Sequence, residues 1–318
     1  MLHSIDQPVS DFYPEWKQGN KAKITIRMLL DHTSGLQNVP NTGVEIYPAP
    51  DGLKLALAAE LSTPPGTAFS YNNKAMNLLA GIFEKAAGMP MDVYIAKQVL
   101  TPLGIKAAPW GERDHAGHPF AMAGWMATPE EAARVGELVL DGGRWNGHQL
   151  IDAAYMKQMT AQSQPYTKAY GLLWWRRAAE LHLSAKGIDR LRALGTPPAV
   201  VDQLATMREQ AFANGDAFSM MLHQRFGKDG DALMQSIREH HLSGNDIFDP
   251  APIMAWEANG YLGNYIVIVP KAHLVAVRQI ASRDDVPGDN WPYGYDDFTH
   301  RVVELARTYT PSLATDGP

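Results

Sequence analysis

Three residues in the stretch FSYNNKAMNLLAGIFEKAAG (69–88) stand where chemistry could be done, at the mouth of a predicted helix: Tyr71, Asn72 and Asn73. An asparagine there caps the free amides of a first helical turn, and one is enough for that. Capping gives no reason for Tyr71. Taken alone, the stretch reads as a cap beside a packed aromatic. Elsewhere the usual chemical signatures are missing: the sequence has no GxSxG, no glycine-rich phosphate loop and no HExxH. Asp31-His32-Thr33-Ser34-Gly35 holds residue types of a hydrolytic triad. Triad members converge from separate elements, however, so this segment reads as a structural turn. His240 and His241 are neighbours on a predicted charged helix. Successive side chains there point about 100° apart and share no ligand, so the pair reads as solvated surface. With no cysteine, disulfides, thiolate nucleophiles and Cys-ligated zinc are excluded.

The elements that must position these residues follow from the apolar pattern. Met76, Leu79, Ala80, Phe83 and Ala87 recur at helical spacing, and Gly88 with Pro90 stops a helix predicted over 73–87. Another helix is expected over 90–100. In MATPEEAARVGELVLDGG, Thr128 is a cap, Pro129 opens the helix and Glu131 completes a capping box. Residues 176–250 are charged, rich in Ala and Leu, and without strand alternation. There Leu181, Ile188, Leu191 and Leu194 predict one helix, Val200, Leu204, Met207 and Ala211 a second, Leu233 and Ile237 a third. This block is read as a helical insertion that serves as a lid or a dimer surface. YIVIVP (265–270) and HLVAVRQIA (273–281) predict an antiparallel hairpin, and a last helix is expected over 296–308. The expected fold is therefore α+β: an antiparallel sheet flanked by helices plus a helical lobe, one domain over 1–318 with the insertion at 176–250.

Composition narrows the function. A chain of 318 residues with 45% apolar and 19% charged residues can bury a substantial core. A net charge of −6 gives no basic surface for nucleic acid and no polybasic membrane anchor. No apolar run approaches the roughly 20 residues of a transmembrane helix. The eleven histidines permit a metal site without arguing for one, and neither a metal nor a cofactor is expected. MLHSIDQPVSDF has neither the basic nor the apolar segment of a signal peptide, so the chain reads as soluble and its location is left open.

Read in order, LLDHTSGL (29–36), PPGTAFSYNN (64–73), VLTPLGI (99–105), AGWMATPEEAARVGELVLDGGRWNGHQLI (123–151), YGLLWW (170–175) and ANGYLGNYIVIVP (258–270) form a pattern. It resembles the serine hydrolases of the class C β-lactamase, D-Ala-D-Ala-peptidase and family VIII esterase superfamily. The resemblance covers nearly all of the chain except the insertion. It implies an esterase or amidase acting through an acyl-enzyme on a small ester or amide. The family's Tyr-x-Asn motif matches Tyr71 and Asn73: the tyrosine, near a cationic lysine, moves protons, and the asparagine bonds the substrate amide or the lysine. A phenol of ordinary pKa near 10 needs such a charge to ionise usefully at neutral pH. The Lys/His-x-Gly motif matches Ala258-Asn259-Gly260, with Asn259 and Gly260 beside the substrate backbone and the Tyr261 backbone amide as an oxyanion-hole donor. Two positions depart from the pattern. Ala258 replaces the cation that holds a substrate carboxylate, which points to a neutral substrate. No serine of the chain has a lysine three residues later, so the family's Ser-x-x-Lys is absent. By the resemblance that motif is expected upstream of Met1, and the chain reads as lacking its start. Strand 273–281 is then expected to present an unpaired edge and to dimerise there, or through the insertion. The competing reading is a non-catalytic homologue that binds a peptide or ester ligand.

Overall fold

Side-chain caps set the helix starts in the computed structural model, which describes residues 2–39, 41–106, 110–240, 242, 244–249, 251–280 and 297–309. Thr25 caps α1 (Ile26–Leu30), Asn41 caps α2 (Thr42–Glu45), Asp51 caps α3 (Gly52–Ala58) and Asn72 caps α4 (Asn73–Met76). In each case the side chain accepts an otherwise unpaired first-turn amide. The helix expected over 73–87 is in fact two pieces, α4 and α5 (Leu78–Ala87). The break falls at Asn77, whose buried side-chain oxygen accepts the Ala121 amide at 3.0 Å. Gly88 ends α5 in the left-handed conformation, φ 69°. α6 (Met91–Ile95) runs on into a wider π turn over Ala96–Leu100. α7 (Pro129–Leu140) carries the predicted reciprocal capping box between Thr128 and Glu131. A short ribbon, β1 (Arg144–Trp145) with β2 (His148–Gln149), and α8 (Ala153–Thr160) complete this part of the chain.

Two compact units result. One runs to Gln164 and includes Gly171–Leu173; the other takes Pro165–Tyr170 and the chain from Trp174 onward. In the first, the buried Tyr13 hydroxyl donates to the Leu78 carbonyl at 2.8 Å. Gly81 of α5 makes room for it, because a Cβ there would sit 2.4 Å from that hydroxyl.

The second unit is built on four antiparallel strands in the order β3 (Trp175–Ala178), β4 (Ile253–Gly260), β5 (Asn264–Val269) and β6 (Leu274–Arg278). β5 and β6 are the predicted hairpin, with Ile266 opposite Val277 and Ile268 opposite Val275. α14 (Phe298–Tyr309) lays Val302, Val303 and Ala306 into a core with Ala255, Val267 and Val269. Ala281 and Asp296, the last residue of the expected strand and the first of the expected helix, lie outside the described residues, as does His241. Between β3 and β4 come α9 (Ala185–Ala193), α10 (Pro198–Thr206), α11 (Gly215–Phe226), α12 (Lys228–Glu239) and α13 (Gly244–Ile247). These bury their own core, including Leu191, Val201, Leu204, Phe212, Phe218 and Phe248.

The α+β reading holds, with further local corrections. The helical block starts at Ala185 rather than at 176, because Trp175–Ala178 zips onto β4 with Trp175 opposite Glu257. Leu181 is extended, paired with Phe212, and precedes its expected helix. α11 was not anticipated, since Phe218, Met220, Met221 and Leu222 are bunched rather than spaced as a stripe.

Candidate active site

Tyr71 and Asn73 belong to the first unit, and His32 organises the loop that holds them. α1 ends at Leu30, and His32 takes a left-handed φ of 58°. Its carbonyl accepts the Ser70 amide at 2.8 Å and its Nδ1 accepts the Asn72 amide at 3.1 Å. The Tyr71 ring lies 4.2 Å from the imidazole, tilted by 36°, and Phe69 meets the same imidazole edge-on at 6.0 Å. Asn72 is buried between two bonds: its side-chain oxygen accepts the Ala75 amide at 2.8 Å, and its Nδ2 donates to the Leu36 carbonyl at 2.9 Å. Asn73, half-buried, opens α4. So of the two asparagines, Asn72 is the cap.

Tyr71 remains 37% exposed. Burial of the rest pushes its phenol above the ordinary value, the direction opposite to the lowering that a cation was expected to cause. Lys74, the lysine nearest in sequence, is buried and paired with Glu45 at 2.7 Å. Burial likewise drives the His32 imidazole down to about 3, so the ring is neutral at pH 7. With Nδ1 accepting the Asn72 amide, the ring proton is assigned to Nε2. Asp31 does not extend this into a triad: its carboxylate accepts the Thr33 hydroxyl at 2.6 Å, as a turn residue does.

Asn259, Gly260 and Tyr261 lie together in the second unit, at the end of β4. The strand is buried at Met254, Ala255 and Glu257 and emerges at Asn259 and Gly260. Gly260 pairs with Asn264, and a Cβ on it would sit 2.9 Å from the Asn264 carbonyl oxygen. Glycine is thus required by the β4–β5 turn itself. Tyr261 starts a 3₁₀ turn, with its side chain 81% exposed and its carbonyl accepting from Asn264 Nδ2 at 2.7 Å. Ala258, opposite Ile266, carries no charge to that end of the strand.

Sequence reasoning missed what holds this strand end. Glu257 is 2% exposed. It accepts the Arg177 guanidinium at 2.6 Å on one oxygen and the Thr299 hydroxyl on the other. Arg177 in turn lies over the Trp175 ring, 4.7 Å from its centroid. Beside this pair is a cavity of about 280 Å³, lined by Trp175, Arg177, Asn214, Glu257, Asn259 and His300 among others. Nothing local in the sequence marks a contact between residues 80 positions apart. Among the described residues one group could hold a metal ion, Asp51, Asp114 and His118, whose ligand atoms lie within 4.8 Å of one another. The Asp114 oxygens are engaged by the Gly52 and His118 amides, both at 2.8 Å, which ties a loop to the start of α3.

A family model described as Beta-lactamase matches residues 2–289. The Esterase EstB of Burkholderia gladioli is 27% identical over 32% of this chain and 31% of its own length, so the match spans about a third of that relative. Two solved structures share the fold across almost the whole chain. One, from Bacteroides dorei DSM 17855 and assigned as a beta-lactamase, gives a TM-score of 0.56 at 18% identity, over 96% of this chain and 78% of its own. The other, from Bacillus anthracis and assigned as a 6-aminohexanoate-dimer hydrolase, gives 0.60 at 16% identity, over 97% and 67%. At those identities the likeness is one of fold.

Proposed function

Because this chain belongs to the Beta-lactamase family and is a protein of hydrolase type, we propose that it takes part in acyl transfer from a neutral ester or amide. In this reading a nucleophilic hydroxyl adds to the substrate carbonyl, the Tyr261 backbone amide stabilises the oxyanion, and as the bond from the acyl carbon to the leaving group breaks, the Tyr71 phenol gives its proton to the leaving group and takes the proton of the attacking hydroxyl. Water then releases the acid. Asn73 bonds the substrate amide, and Asn259 with Gly260 lines the substrate backbone. Losing one oxyanion donor typically costs about 3 kcal/mol of transition-state stabilisation. The observation that supports the reading most is Tyr71 itself, half-exposed on a loop whose every residue from 69 to 72 touches His32. Its phenol, pushed up by burial, keeps its proton at neutral pH.

An acyl-enzyme needs an attacking oxygen, and no serine here has a lysine three residues on. The roles assigned to this chain are therefore proton handling, substrate alignment and oxyanion stabilisation. A second reading is a protein that binds the ester or peptide without turning it over. Ala258 argues for a substrate without a carboxylate at that point. Pairing with a second copy along β6 is supported by its place at the end of the sheet order.

The test is turnover of short-chain nitrophenyl esters against a chromogenic cephalosporin, in the native protein and in Tyr71→Phe. The expected result is preference for the esters and a loss of about 100-fold or more in kcat in the variant. Preference for the cephalosporin overturns the neutral-substrate assignment. Binding of the ester without turnover selects the second reading.

A further inference from the structure

We infer that His32 is the positioning residue of the Tyr71 loop, holding it through two separable contacts: a hydrogen bond from the Asn72 amide to Nδ1 and the ring surface under Tyr71. The inference rests on the reading of Tyr71 as the proton-handling group. It assigns to His32 a role that its turn-like sequence context did not suggest.

Four successive residues of the loop meet this one residue, three through its ring and one through its backbone carbonyl. Residues 69, 70, 71 and 72 each meet His32, by ring edge, carbonyl, ring face and Nδ1 in turn. Histidine accepts the left-handed φ of 58° better than most residues do. The Asn72 amide is buried with its residue, so without Nδ1 it would be left unpaired, at the cost of its desolvation. A protonated imidazole has no lone pair at Nδ1, so only the neutral ring accepts the Asn72 amide. Asn72 also caps α4, so the same bond fixes the start of the helix that Asn73 opens.

The two contacts can be cut one at a time. In His32→Asn, the side-chain oxygen stands where Nδ1 was, and asparagine tolerates the backbone conformation, but the ring is gone. In His32→Phe, the ring remains and the acceptor is lost. The protein is labelled at tyrosine Cζ and at backbone amides, and read by NMR with Tyr71→Phe to assign the Tyr71 signal. The expected result is a crossed pattern. His32→Asn keeps the Asn72 amide protected and shifts the Tyr71 Cζ resonance. His32→Phe leaves that resonance near its native position while the Asn72 amide exchanges about tenfold or more faster. An Asn72 amide equally protected in His32→Phe, or an unmoved Tyr71 signal in His32→Asn, overturns the inference. Should His32→Phe not fold, the native ring nitrogens decide. Nδ1 as an unprotonated acceptor with Nε2 protonated, unchanged from about pH 5 to pH 8, supports it, and the reverse tautomer overturns it. None of these signals depends on turnover, so they stand apart from the kinetic test of Tyr71.

Discussion

At the scale of residues, the chemistry depends on which groups are kept neutral. Two aromatic groups whose rings lie 4.2 Å apart, His32 and Tyr71, are both shifted by burial toward their uncharged forms. For His32 this has a consequence for stability. Its pKa is 6.5 in an ordinary setting and about 3 in the fold. Below pH 6.5 the unfolded chain binds a proton that the native ring refuses. Stability therefore falls as pH drops from 6.5 toward 3, by up to about 1.4 kcal/mol per pH unit. Asp31, whose carboxyl burial pushes up, contributes with the opposite sign and is common to native protein and variant. Denaturant melts at pH 7, 5 and 4 are expected to show a flatter acid loss in His32→Asn than in the native protein. Parallel curves would mean that the imidazole is not buried in solution.

At the scale of elements, β4 carries the candidate oxyanion end, and Glu257 anchors it three residues away. A carboxylate at 2% exposure is tolerable because Arg177 and Thr299 both bond it, from β3 and α14. Glu257→Ala removes the bonds from the part-exposed Arg177 and from Thr299 and is expected to cost about 1–3 kcal/mol by urea unfolding. A double cycle with Arg177→Met then recovers a large part of that cost; a cost near zero for Glu257→Ala alone would show that the pair is solvated. These elements also show what can be read from one chain. The Thr128 capping box and the β5–β6 hairpin were legible because their determinants lie within a few residues of one another. β3 was not, because Trp175–Ala178 becomes a strand only by pairing with residues 253–257. The Asn77 break likewise needs Ala121, and α11 hides its helical character in a bunched apolar run. Tyr71, Asn73 and Gly260 are proposed through motif resemblance. His32 stood in plain sight in the same motifs, but its contacts with residues 69–72 span some forty positions and have no local signature.

At the scale of the whole molecule, each of the two units has its own core, and each carries part of the proposed machinery: Tyr71 and Asn73 in one, Asn259 to Tyr261 in the other. Among the described residues no helix is long and apolar enough to cross a membrane. β6 pairs only with β5 among those residues, and its strand is Leu274, Val275, Ala276, Val277 and Arg278. Pairing of two copies along it is expected to appear in sedimentation as a dimer that Val277→Lys dissociates, since a charge on an edge strand discourages such pairing. A native monomer at all concentrations would remove that arrangement.

The central proposal is that Tyr71 serves a bound acyl group. It is tested most directly by titrating the labelled protein with a neutral acyl nitroanilide, an amide that persists long enough to be observed whether or not it is slowly cleaved. The Tyr71 Cζ resonance is expected to move saturably, with the same dissociation constant that calorimetry gives for the ligand. A Tyr71 resonance that stays in place while the ligand binds contradicts the proposal.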